Sequence, residues 1–337
     1  MEKLIQGILA ILLGGGGLLV YYGGGNYLID LIFSDKVDSN GNVLVSRIQL
    51  RERVRPWLFI APALILLGMF LVYPALRTLY LSFFDKYGRD FVGLDNYEWA
   101  LDDRGFKTAV RNNLLWLLIV PFASTGLGLL VAVLADRVKW EAIAKSLIFM
   151  PMAISFVGAS IIWKFMYAYR DTGREQIGLL NELLIAFGGQ PNTWITEPPW
   201  NNIALMVILI WIQTGFAMVL LSAALKGVPD ETLEAARIDG ANEVQIFFRI
   251  MIPQIAGTIA VVMTTIIIVV LKIFDVVLTM TDGQYETEVL ANYMDRVMFR
   301  GDPDFGRGSM IAVTIMAAII PIMIWNIVRF RREEDMR

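Results

Sequence analysis

The chain of 337 residues is 56% hydrophobic and 18% charged, with a formal charge of -3 and a mean hydropathy of +0.58. That is too apolar for a soluble domain of this length, so the expected solvent is the lipid bilayer. The sequence holds neither cysteine nor histidine, which excludes disulfides, thiolate nucleophiles, imidazole metal sites and His-based catalysis, and no basic face supports nucleic-acid binding.

A helix needs roughly 20 largely apolar residues to cross the hydrocarbon core. The first candidate in chain order runs from Leu4 to Phe33 and carries glycines at 14–17 and 23–25, which permit close packing or kinks in lipid. It has no basic leader beyond Lys3 and no small-residue cleavage site, so it is expected to stay as one spanning helix rather than be removed as a signal peptide. Six further spans are predicted at Trp57 to Leu81, Leu114 to Ala135, Ser146 to Ala168, Ile203 to Leu225, Ile255 to Thr281 and Met310 to Val328. Prolines 62, 74, 121, 151 and 321 lie within or at the ends of these spans and favour bends.

Connections 34–55, 136–145, 226–254 and 329–337 hold 15 Lys and Arg, against 10 in the longer set 82–112, 169–202 and 281–308. Cytoplasmic loops are enriched in these residues, so the first set is expected inside. Its strongest contributors are Arg47, Arg51, Arg53 and Arg55, then Arg329, Arg331 and Arg332. The amino terminus lies outside if the first segment crosses once.

Among these connections, 226–254 reads as two short helices. Asp230 is placed to cap the first, and Gly240 is a natural stop. Asn242 followed by Gln245 resembles a second cap, after which Val244, Phe247, Phe248 and Met251 share one helical face up to Pro253.

Glu234, Ala235, Ala236, then Gly240, then nine residues to Ile250 and Pro253, resemble the EAA loop of binding-protein-dependent ABC importers, with Ile252 where leucine is usual. Asp239 and Ala241 around Gly240, the stretch Phe91 to Tyr97, Phe274 with Asp275, Thr281 to Gly283, and Phe299 to Ser309 resemble the sugar branch. The similarity covers Pro56 to Phe330, lies near the larger maltose-permease-like subunits, and is nearest to alpha-glucoside permeases.

The resemblance implies an all-α polytopic membrane protein, a six-helix type I ABC importer core plus one amino-terminal transmembrane helix. The implied domains are a helix and basic cytoplasmic linker at 1–55, a transmembrane domain at 56–330 and a cytoplasmic tail at 331–337. It implies a permease of the bacterial inner membrane that carries sugars, of alpha-glucoside type, and docks on a separate ATPase through the first helix of the loop. Expected partners are a second, different permease subunit, two ATPase subunits, a periplasmic or extracellular sugar-binding protein and the lipid bilayer. No G-x-x-x-x-G-K-[ST] motif occurs, so ATP and Mg are expected on the ATPase partner and no cofactor in this chain.

Counted back from Lys226, Ile212, Gln213 and Phe216 fall where maltose-permease-like subunits line their sugar site, with Thr214 beside them and Gln213 in place of a glycine. Counted from Pro253, Val270 and Ile273 fall where those subunits carry asparagines, so a maltose-identical site is not expected. Ser155 is a further polar candidate. Lys272 and Asp275, three apart, are placed to form an intramembrane ion pair on one helical face. The rival classes are an ion-coupled secondary transporter, whose internal repeat is not apparent, and an ABC permease for a non-sugar solute.

Overall fold

The structure, a computed structural model, describes residues 2–34, 36–37, 43–45, 47–136, 138–171 and 173–335. Side chains of residues 2, 36–37, 43–45 and 330–335 are not described. Parts of the expected basic linker and the end of the expected tail, residues 336–337, therefore lie outside the described residues.

Two compact units divide at Arg77. The first contains helix α1 (Glu2–Ile32), a small antiparallel pair β1 (Lys36–Val37) and β2 (Val43–Val45), and most of helix α2 (Ile48–Leu81). Nothing between Ile48 and Arg55 interrupts a helix, so the expected boundary at residue 55 falls inside α2 rather than in a linker. Within this unit Asp30 pairs with Arg55 at 2.8 Å and Arg51 at 3.5 Å, and the Tyr21 hydroxyl donates to the Leu58 carbonyl at 3.0 Å. Gly25 seats Leu58, whose methyls would lie 2.9 Å from an added Cβ, while glycines 14–17 face open space. Close packing thus explains one glycine of the two clusters.

In the second unit α3 (Asp95–Asp102) precedes α4 (Arg104–Ala135), which packs along α8 (Trp200–Lys226). Trp116 of α4, Leu205, Leu209, Met218 and Leu221 of α8, and Ile266 are fully buried and form the apolar core. Between α4 and α8 come α5 (Glu141–Phe149), α6 (Phe156–Met166) and α7 (Leu179–Ala186). Beyond α8 lie α9 (Asp230–Ile238), α10 (Glu243–Gln254), α11 (Ala256–Leu271), α12 (Asp275–Met280), α13 (Leu290–Phe299) and α14 (Phe305–Asp335).

Two expected spans are broken. The stretch 146–168 turns by 104° between α5 and α6, at the extended residues Ile154 and Ser155 that follow a tight turn over Met150–Ala153. The stretch 255–281 stops at Leu271, because Lys272 leaves the helical region with φ -106° and ψ 16° and a new helix begins at Asp275. The helix pair α10 and α11 also bends, by 68°. Prolines act here through the preceding turn. Tyr73 before Pro74 and Ile252 before Pro253 each donate five residues back, to the carbonyls of Gly68 and Phe247, closing wide turns that accommodate the proline ring. The last expected boundary, at residue 331, falls within α14.

Asparagines from α4 and α8 strap the 281–289 segment across the helix ends remote from α9. Asn112 donates to the carbonyls of Glu286 and Glu288 at 2.7 and 2.8 Å, and Asn201 donates to the Tyr285 carbonyl at 2.7 Å. Glu288 is buried beneath this strap, accepts from Asn292 at 2.7 Å and pairs with Arg296. Burial pushes its carboxyl above the ordinary glutamate value of 4.5, against the Asn292 hydrogen bond and the Arg296 charge. The folded state therefore holds its proton more tightly than the unfolded chain. Its contribution to stability falls as pH rises from that ordinary value through the raised one. Thermal midpoints across the acid to neutral range should decline with this slope in wild type and lose it in Glu288→Gln.

Candidate functional site

The two helices of the 226–254 loop are built by local chemistry. Helix α9 follows Pro229, which supplies extended backbone but no side-chain cap; Asp230 is already in the first turn and complements the helix dipole instead of capping it. At the other end Gly240 takes φ +85°, donating to the Arg237 carbonyl at 3.1 Å, while Ala241 N–H reaches the Ala236 carbonyl at 3.0 Å. These paired bonds are a glycine-dependent helix stop. Asn242 then accepts from Gln245 N–H and Gln245 accepts from Asn242 N–H, both at 2.9 Å, so the expected capping box is formed.

Helix α9 has two faces. Glu231, Glu234, Ala235 and Ile238 are exposed at helical spacing, with Ile238 at 86%. Ala236, by contrast, is buried against the chain itself, so of the two alanines only Ala235 lies on the outward face. Asp239, Gly240 and Pro253 are exposed and Ala241 is half-buried. Sequence reasoning passed over Ile238, whose signal is an apolar residue one turn after Glu234. The apolar face of Val244, Phe247, Phe248 and Met251 gathers as expected, lining a groove of about 680 Å³ with Leu129, Leu130 and Val133 of α4.

A compact charged cluster anchors the root of the loop. Lys145 of α5 contacts Asp136 just after α4, Glu141 one turn back, and Ser222 of α8; Ser222 also donates to Asp136 at 3.0 Å. Lys226, the last residue of α8, pairs with the same Glu141. Opposite charges from three helix ends thus meet where the chain enters the loop. The sequence signal was present in the i, i+4 spacing of Glu141 and Lys145.

The second feature is an open cavity of about 490 Å³ lined by the entry to α6, the middle of α8 and the adjoining parts of α11 and α12. Ser155, Ile212, Gln213, Phe216 and Asp275 all line it. Ser155 caps α6, accepting from Gly158 N–H at 3.0 Å. The first helix interruption borders this space through Met152, Ile154 and Ser155, while of the second only Asp275, immediately after the break at 272–274, does so. Unwound backbone at membrane depth is tolerated where it is buried or faces a wetted cavity.

Not every candidate reaches it. Thr214 turns its hydroxyl to the Ile210 carbonyl at 2.7 Å. Val270 and Ile273 are buried at 0% and 2% exposure within the core. Thr265 and Val269, one turn apart on the neighbouring face of α11, line the cavity in their place. The expected ion pair between Lys272 and Asp275 is not formed: they belong to different helices, Lys272 is exposed, and only Asp275 faces the cavity.

Among the described residues no cluster of acidic groups could hold a metal ion.

The family described as binding-protein-dependent transport system inner membrane component matches residues 124–330. The alpha-glucoside transport system permease protein AglF of Rhizobium meliloti is 57% identical over 99% of both chains. The osmoprotective compounds uptake permease protein GgtC of Synechocystis is 55% identical over 83% of this chain and all of that one. Among solved structures, a chain of a bacterial ABC transporter involved in the import of the acidic polysaccharide alginate superimposes with a TM-score of 0.72. It covers 84% of this chain and 99% of that one at 21% identity, a likeness of fold.

Proposed function

The chain belongs to the binding-protein-dependent transport system inner membrane component family, and from that premise we propose that it is the path-forming permease subunit of an ATP-driven sugar importer. It is a multi-pass inner-membrane protein. The observation that carries the reading is the cavity on which both broken helices converge, because it combines hydrogen-bonding groups from Ser155, Gln213 and Asp275 with the aromatic rings of Phe156 and Phe216. A sugar entering it loses water from its hydroxyls, which need such partners, and presents apolar ring faces to the aromatics. Alpha-glucosides are the proposed solutes, supported by the identity to the Rhizobium meliloti permease over nearly its whole length. A second class, osmoprotective solutes, is favoured by the comparable identity to the Synechocystis permease.

In this reading the chain pairs with a second permease, and two ATPases hold ATP and Mg beneath them. A binding protein delivers solute from outside. The outward face of α9, Glu231, Glu234, Ala235 and Ile238, seats on the ATPase, and closure of the ATPases moves α9. The charged cluster at Lys145 ties that motion to α4, α5 and α8.

Proteoliposomes holding the assembled transporter, with binding protein and labelled alpha-glucoside, test the proposal. Uptake should require the ATPase and ATP, and Gln213→Leu should lower it about tenfold through loss of one buried hydrogen-bond partner. Uptake driven by an ion gradient without the ATPase would refute it. Competition by unlabelled osmoprotective solutes decides between the two solute classes.

A further inference from the structure

We propose that Asp275 sets the charge selectivity of this cavity: its carboxylate draws neutral polyhydroxylated or cationic solutes in and turns carboxylated and phosphorylated ones away. The inference rests on the cavity being the solute path.

Among the described residues Asp275 is the only formally charged one in the cavity wall. Around it the lining is mainly apolar, and its other polar side chains are Ser155, Gln213 and Thr265. The Thr265 hydroxyl already donates to the Val261 carbonyl at 2.9 Å. Asp275 stands in the first turn of α12, where its charge complements the helix dipole as that of Asp230 does on α9, and this is the structural role the position gives it. The residue in the cap position of α12 is Phe274, and among the described residues Asp275 takes part in no ion pair, the end of α11 at Leu271 separating it from Lys272. A carboxylate left without a counter-cation at membrane depth marks a wetted solute pathway. Low-dielectric walls strengthen its field across the cavity.

The chemistry of the carboxylate defines what it accepts. Its two oxygens only accept hydrogen bonds, so vicinal hydroxyls of a sugar can both donate to it. Gln213 offers a donor and an acceptor beside it, and Phe216 provides a flat apolar surface in the same wall. An anionic sugar would bring like charges together in a space lined by few compensating donors. A neutral glycoside meets no such opposition.

The absence of cysteine from the chain makes a direct test possible. In membrane vesicles holding the assembled transporter, Ser155→Cys supplies the one thiol of this chain, and its labelling by cationic and anionic methanethiosulfonate reagents is read on this chain by mass. With Asp275 present, the cationic to anionic rate ratio, relative to a free thiol, should be raised about tenfold or more. With Asp275→Asn it should fall to the free-thiol ratio. Excess neutral alpha-glucoside should slow both reagents. An unchanged ratio in Asp275→Asn overturns the charge selectivity while leaving the path standing. Labelling that sugar does not slow, or a thiol that neither reagent reaches, overturns the path and this inference with it. Gln213→Cys repeats the measurement from the facing helix if Ser155→Cys does not assemble.

Discussion

Gly240→Pro should reduce ATP-driven uptake more than a hundredfold and remove the ATPase from the complex purified in mild detergent. Gly240 ends α9 with φ +85° and its N–H bonds the Arg237 carbonyl at 3.1 Å. Proline holds φ near about -65° and has no N–H, so it can satisfy neither condition. The turn must open, and the Ala241 bond to Ala236 at 3.0 Å opens with it. A loss of about 3 kcal/mol from the docking-competent turn corresponds to that hundredfold change. Gly240→Ala separates the backbone requirement from crowding. An added Cβ meets nothing within 4 Å, so only the left-handed conformation, about 1 kcal/mol, opposes it. Its uptake should fall about fivefold with the ATPase still bound. Full uptake and ATPase recovery in Gly240→Pro would show that α9 is not the docking element.

Gly128→Val should lower the unfolding midpoint of the detergent-solubilised complex by roughly 10 °C, from about 3 kcal/mol of overpacking. A Cβ at Gly128 would stand 2.5 Å from the Ala217 Cβ and 2.9 Å from the Met218 backbone nitrogen, where α4 crosses α8. Backbone cannot rotate away as a side-chain tip can, so the helices must separate and strip contacts from the core around Met218 and Leu221. Gly126 is the internal control. It lies on the same helix two residues earlier, with nothing within 4 Å of an added Cβ. Gly126→Ala should leave the midpoint within about 2 °C, since it adds no clash and improves helix propensity. Equal midpoints for Gly128→Val and wild type, read by fluorescence-detected size exclusion after heating, would contradict the crossing.

Much of the candidate site was legible because it is built by short-range rules. The Asn242 and Gln245 cap, the Gly240 stop and the apolar face from Val244 to Met251 depend on residues within one or two turns, and each is present as expected. The cavity was legible in part. Of the residues expected on a solute path, Ile212, Gln213, Phe216 and Ser155 line the cavity, while Thr214 does not and Val270 and Ile273 are buried in the core. One residue along a helix turns a side chain by about 100°, so counting from a distant proline selects the right turn and can select the wrong face.

The sequence by itself located the apolar stretches and the two-helix loop, because apolar length and caps act locally, although two of the seven expected spans are broken. Tertiary structure decided which glycine is a packing site, Gly128 rather than Gly126, and which alanine of the motif stays outward, Ala235 rather than Ala236. It also decided that the helix stops at Leu271, separating Lys272 from Asp275 and leaving the carboxylate facing the cavity. Those choices depend on which neighbour occupies each face of a helix, and helices far apart in sequence supply the neighbours.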